Sequence, residues 1–185
     1  AMSGSHGPLP AWARELGGPN AVAPGDTSEG TLDLPAGNYA FICVIPAPDG
    51  VPHIMKGMFK PVVVRGAEPA ATPRHDVAMR LDDYGFGVEG TLASGRRTVL
   101  VENRAAQSHE VLLVHLAPGK TGHDVLAWLQ APNGPPPGRP IGGTVGMAKG
   151  VVNYVTADFP PGEYALICLL PDAKDGRPHF MHGMM

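Results

Sequence analysis

Short apolar runs alternate along the chain with clusters of glycine and proline, a rhythm that predicts many brief strands rather than long helices. Thr98–Val101 and Glu110–Leu116 alternate enough to read as half-buried strands. Val77–Arg80 and Tyr84–Val88 read as an early strand pair. Val151–Thr156 and Glu163–Leu170 read as two more, joined by the turn Pro160-Pro161-Gly162. Thr31–Leu34, Asn38–Ile45 and Phe59–Val64 form a further set near the start. Gly122–Gln130 has room for one short helix, with Trp128 and Leu129 turned inward, and Asn133–Gly143 reads as a Pro/Gly loop. The expected fold class is all-β, a sandwich of short strands.

The pattern repeats. Pro35-Ala-Gly-Asn-Tyr-Ala-Phe-Ile-Cys43 returns as Pro160-Pro-Gly-Glu-Tyr-Ala-Leu-Ile-Cys168. Asp49-Gly-Val-Pro-His53-Ile-Met-Lys-Gly-Met58 returns as Asp175-Gly-Arg-Pro-His179-Phe-Met-His-Gly-Met184. The offset is 125 residues at the cysteines and 126 at the histidines, so the second loop is one residue longer. Upstream, Gly17-Gly18 corresponds to Gly142-Gly143 at the same offset of 125. A repeat of this kind sets the domain division. The expected division is 1–65 as the C-terminal part of a first domain, 66–74 as a Pro/Ala-rich linker and 75–185 as a second domain. Residues 75–125 have no earlier counterpart, and the run Phe59–Val64 has no later one. The expectation is therefore a sequence covering part of a longer protein, or a domain that borrows strands from a neighbour.

Composition narrows the class. Of 185 residues, 25 are Gly and 21 are Pro, yet 43% are hydrophobic, enough for a packed core. The net charge is −3 with no basic block, which gives nucleic-acid binding no electrostatic support. No apolar run reaches the roughly 18 residues that a membrane span needs. The two cysteines, Cys43 and Cys168, occupy equivalent repeat positions, which argues against a disulfide between them.

Donor residues gather in the second repeat. Cys168 ends a strand, His179 follows after ten residues, Met184 lies five further on, and His109 begins a different strand upstream. A thiolate, two imidazoles and a weak thioether are the set that suits electron-transfer copper. Soft sulfur favours Cu(I), imidazole accepts Cu(II), and a rigid scaffold holding both limits rearrangement between the two states. Asn103-x5-His109-Glu, Tyr164-x3-Cys168 and Pro178-His179-x3-Gly183-Met184 together resemble the ligand pattern of the cupredoxins, the plastocyanin and azurin family. The resemblance covers 75–185 and, in truncated form, 1–65.

That resemblance implies Greek-key β-sandwiches in tandem and one copper in the second domain, held by His109, Cys168, His179 and Met184. The first repeat keeps Cys43, His53 and Met58, while neither His6 nor His75 aligns with His109. Two departures stand out. The Cys-to-His loop is longer than in simple cupredoxins, and Glu110 stands where the family commonly has Asn or Asp, with Ser108 as a substitute brace. His182, Met55, Met181 and Met185 make the loops rich in soft donors. His115 reads as a packed residue and His123 as flanking the helix. Asp82, Asp83, Asp172 and Asp175 read as solvated turn residues.

The function expected from the resemblance is periplasmic or extracellular electron transfer with a redox or structural protein partner. The alternative is a copper-free interaction module, for example a peripheral subunit of a membrane complex. A third reading is copper storage or delivery. An enzyme is not expected: Ile167 and Leu169 flank Cys168, Ile42 and Val44 flank Cys43, and no histidine adjoins either. A second, catalytic copper therefore has no evident ligands.

Overall fold

The computed structural model describes residues 10, 12–66 and 71–185, and His6 lies outside them. Strand is the dominant regular structure of the described chain, in line with the all-β expectation. Two compact units result, one made of residues 1–32 with 73–185 and one of residues 33–72. Packing thus groups residues up to Leu32 with the second repeat, whereas the sequence division runs to residue 65. Part of the expected 66–74 linker lies outside the described residues.

The larger unit holds two sheets. The strands are β1 (Ser28–Leu32), β4 (Val77–Asp82), β5 (Gly85–Glu89), β6 (Gly95–Asn103), β7 (His109–Leu116), β8 (Gly138–Met147), β9 (Val152–Phe159) and β10 (Tyr164–Ile167). One sheet has the order β1-β9-β6-β4-β5 and the other β10-β7-β8. The alternation in the sequence explains their packing. Val77, Met79, Leu81, Val99, Val101, Val155 and Phe159 from the first sheet share one buried cluster with Val111, Leu113, Ile141 and Met147 from the second. Burying such side chains stabilises by roughly 1.5–3 kcal/mol each. Cys168 and Met184 close one end of this cluster.

The helix α1 (Gly122–Gln130) forms where the sequence predicts it. Thr121 and Asp124 cap its start reciprocally, each satisfying an orphan amide. Its buried residue is Val125. Leu129 joins Val114, Leu116, Ala165 and Ile167 on the outer face of β7 and β10. Trp128 stays half-buried and donates to Gly134 O at 3.2 Å, contrary to the expected inward pair. His123 is exposed beside the cap.

The larger departure is β8, which occupies much of the expected 133–143 loop. Glycine and proline count against a strand, but Gly142 and Gly143 (both φ 126) supply irregularities that β8 needs. The β7–β8 register shifts between Leu113 and Val114. A Cβ on Gly143 would stand 1.9 Å from Val111 O, so only glycine lets the two strands meet.

Residues 15–32 pack against their own repeat equivalents. In the β1–β9 ladder Ser28 faces Ala157, Gly30 faces Val155 and Leu32 faces Asn153. The repeat offset carries the first pair onto the third and the middle pair onto itself. Single bridges Leu16–Met147, Pro19–Thr144 and Val22–Ile141 follow the same rule. A Cβ on Gly17 would collide with Asn153, and one on Gly142 with Ser28, which is the repeat equivalent of Asn153. Both ladders therefore obey a local pseudo-two-fold relation.

The smaller unit is a hairpin of β2 (Gly37–Ile42) and β3 (Phe59–Val64) with a 3-10 turn at His53–Lys56. Its loop repeats the backbone bonding of the second repeat. Cys43 N donates to Met58 O, Met58 N to His53 O, and His53 N to Ile45 O. Cys168, Met184, His179 and Leu170 make the same three bonds.

Gly143→Ala is expected to destabilise the fold by more than the roughly 1–3 kcal/mol of a strained backbone alone, because a backbone oxygen blocks the added methyl. Gly119→Ala, at φ 73 with open space around it, should show only the backbone cost. Urea denaturation of both variants compares them, and equal losses would contradict the close approach.

Candidate metal centre

Asn103, at the end of β6, is fully buried and sets the turn that leads into β7. Its Nδ2 donates to Gln107 O (2.9 Å) and Met147 O (2.6 Å), and its Oδ1 accepts from Ala105 N (3.0 Å). His109 follows as the first residue of β7 and is also fully buried. β10 pairs with β7 through Ile167 opposite Leu112, which brings Cys168 beside His109. The chain leaves Cys168, loops back through a bridge between Pro171 and Pro178, and enters a 3-10 turn at His179–His182. Gly183 reverses it in the left-handed region at φ 102. Met184 then returns to the cysteine, accepting from Cys168 N at 3.3 Å and donating to His179 O at 3.1 Å.

The result is a closed donor set. Cys168 Sγ lies 3.2 Å from His179 Nδ1 and 3.8 Å from His109 Nδ1. The ring centroids of the two histidines are 4.4 Å apart. His109, Cys168, His179 and Met184 each have 0% exposure. For one ion bound at ordinary sulfur and imidazole distances, donor separations of about 3.6–3.8 Å are required. The observed pair brackets that range, so the three groups could hold a metal ion. The chemistry of the donors accords with this: one thiolate with two imidazoles suits soft to borderline ions such as copper or zinc.

Surrounding groups aim these donors. His109 Nε2 donates to Asp83 Oδ1 at 2.7 Å. That bond places the ring proton on Nε2 and leaves the Nδ1 lone pair facing Cys168. Glu110 N donates to Cys168 Sγ at 3.5 Å. Glu110 Oε1 accepts from Leu169 N at 3.1 Å. Glu110 thus ties the cysteine strand to the histidine strand, the role suggested in the sequence for Ser108. Burial pushes the Glu110 carboxyl up to about 7. Burial, and then the neighbouring Glu110, push the Cys168 thiol up to about 12, so capture of an ion there must release its proton. Burial and the facing His109 lower His179 to about 4.

A polar network covers the imidazole edges. Asp172 Oδ2 accepts from Tyr84 (2.5 Å) and from Gln107 Nε2 (3.0 Å). The Tyr84 bond, then the Gln107 bond and the Lys174 amide, hold the Asp172 carboxyl well below its usual range. The Tyr84 ring lies 5.6 Å from that of His179 and 6.5 Å from that of His109. His179 Nε2 has no hydrogen-bond partner among the described residues. Asp172 is therefore buried rather than the solvated turn residue expected, while Asp83 is an exposed turn residue that also orients His109. Tyr84 and Gln107 carried no signal in the sequence. Asp172 did carry one, since the first repeat has Ala47 at its position.

The remaining histidines and the donors of the first repeat lie elsewhere. His115 stacks on Tyr164 and reaches Pro161 O, away from the centre. His75 is exposed and faces Tyr154. In the smaller unit Cys43 Sγ lies 3.5 Å from His53 Nδ1. Met58 there is 58% exposed, against 0% for Met184. Both cysteines are free thiols. No protein-family model, curated protein or solved structure matches the chain.

Asp83→Asn should weaken metal binding by roughly 10–100-fold, the usual effect of losing an orienting carboxylate. A chelator competition titration measures this, and unchanged affinity would remove Asp83 from the centre. Glu110 gives a pH signature. Its carboxyl titrates near 4.5 when unfolded and near 7 when folded, so its burial costs nothing below pH 4.5. The cost grows from there to pH 7 and levels off at about 3 kcal/mol. The stability of the native protein relative to Glu110→Gln should fall across that window. Denaturation at several pH values tests it, and a constant difference would refute it.

Proposed function

We propose that the chain is a copper-binding electron-transfer protein of the periplasm or extracellular space, built on cupredoxin-like β-sandwiches in tandem. The convergence of two Nδ1 atoms on the buried Cys168 Sγ, with Met184 hydrogen-bonded to the cysteine backbone, carries this reading. His109, Cys168 and His179 would hold the ion, and Met184 would stand as a weak fourth donor. When bound, copper supplies a one-electron couple between Cu(I) and Cu(II).

The protein's own part is to keep the donors still. Full burial of all four excludes water from the donor set. The β7–β10 ladder fixes the distance between His109 and Cys168, and Asp83 fixes the tautomer of His109. A site held this way rearranges little between oxidation states, which favours fast electron exchange over substrate chemistry. Ile167 and Leu169, the sequence neighbours of Cys168, offer no imidazole to a catalytic copper in the manner of copper reductases. The reading is thus a carrier or relay serving a redox protein partner, not an enzyme.

The pseudo-two-fold pairing of residues 15–32 with their repeat equivalents supports the tandem arrangement. In that arrangement Cys43, His53 and Met58 form the matching half-site of the first sandwich. Among the described residues no second imidazole joins Cys43 and His53, so the copper is assigned to the second repeat.

Addition of Cu(II) to the purified protein should produce a strong visible absorption from the thiolate, absent in Cys168→Ala. Protein that stays colourless and takes up no Cu(II) sinks the proposal. Uptake of Cu(I) alone would favour storage or delivery instead.

A further inference from the structure

A second group of donors lies beside the thiolate centre. Asp172, Asp175 and His182 have ligand atoms that all fall within 4.8 Å of one another. Asp175 Oδ1 is 3.2 Å from His182 Nε2. An acidic cluster alone would signify little, but a further atom points into this one. His179 Nε2 is fully buried, has no partner among the described residues, and lies 3.8 Å from Asp172 Oδ2. An ion at about 2.0–2.2 Å from each could bridge that gap.

The repeat sharpens the case. Asp175 and His182 correspond to Asp49 and Lys56 of the first repeat. There the Lys56 ammonium lies 2.5 Å from Asp49 Oδ2, so a tethered cation neutralises the carboxylate. In the second repeat a histidine stands at the lysine's position, and an imidazole nitrogen can ligate a metal ion where an ammonium cannot. A second carboxylate, Asp172, stands where the first repeat has Ala47. One copy therefore carries its own cation, and the other carries two carboxylates and two imidazole edges.

We infer that Asp172, Asp175, His182 and the outer nitrogen of His179 form a second metal site for a borderline divalent ion of the zinc class. Oxygen and imidazole donors without sulfur select Zn²⁺ or Co²⁺ over Cu(I). Asp172 is braced for the role, since Tyr84, Gln107 and the Lys174 and Asp175 amides hold its carboxylate. Asp175 Oδ1 is likewise steadied by Arg177 N at 2.9 Å. When both ring nitrogens of His179 are engaged, the ring proton leaves to solvent. One imidazole then joins the two sites, with Nδ1 toward Cys168 and Nε2 toward the carboxylates. The second site needs no copper at the first, so it stands or falls separately from the electron-transfer reading.

Co²⁺ titration of the Cys168→Ala chain tests it. One equivalent should bind, with weak visible d–d absorption and no near-ultraviolet thiolate band. His182→Lys added to that background copies the first repeat and places an ammonium in the site. It should lower Co²⁺ affinity at least roughly tenfold, the minimum seen even for changes beyond the ligand shell. The same loss is expected in the chain with Cys168 intact and its thiolate masked by Ag⁺, which guards against misfolding of the alanine variant. Failure of both parent forms to bind Co²⁺, or affinity unchanged by His182→Lys, would overturn the inference.

Discussion

The antiparallel pairing of β7 with β10 is the constraint on which the candidate centre rests. It sets Ile167 against Leu112, and so leaves Cys168 one residue beyond the ladder, beside the start of β7. His109 and Cys168 are 59 residues apart in sequence, and this ladder brings their donor atoms to 3.8 Å. The pairing has hydrophobic support on both sides. Val111 and Leu113 face the core between the sheets, while Val114, Leu116, Ala165 and Ile167 are covered by α1. A slip by one residue would turn every one of these side chains to the wrong face. Register and donor geometry are therefore secured by the same buried area.

Burial also shapes the chemistry. A thiol and a carboxyl placed side by side without water resist ionisation, which is why Cys168 and Glu110 both shift upward. An arrangement that opposes bare thiolate but offers two imidazoles becomes favourable once a cation supplies the missing charge. The neighbouring group works by the opposite logic. Asp172 is held ionised by hydroxyl, amide and backbone donors, so its charge persists whether or not an ion lies near. Two adjacent environments, one soft and dry and one oxygen-rich and half-open, share a single imidazole between them.

The two repeats show how context alters the same local code. Both loops make the same backbone bonds around Cys, His and Met, so that hairpin geometry is local. Burial of the donors is not local. Cys168, His179 and Met184 lie beneath β7 and the opposing sheet, whereas Met58 is exposed. Equal sequence thus yields equal turns and unequal environments.

Several features were legible in the sequence for this reason. The strand alternation, the helix at Gly122–Gln130 and the Cys-His-Met spacing all depend on short-range rules of period, capping and turn chemistry. The assignment of His109 rested on likeness to a ligand pattern, and the structure places it with Cys168 and His179. What spacing could not reveal were contacts between distant segments. Asp83, Tyr84 and Gln107 look like ordinary turn and surface residues until the sheets bring residues 83–107 against 172–182. Strand β8 was hidden by its own glycines, which mark a loop locally but here permit a close backbone approach. The sequence by itself determined the strands, the turns and the kinds of donor. Only the tertiary structure decided which donors meet and which carboxylates aim them, because those contacts are set by sheet register and burial across the whole fold.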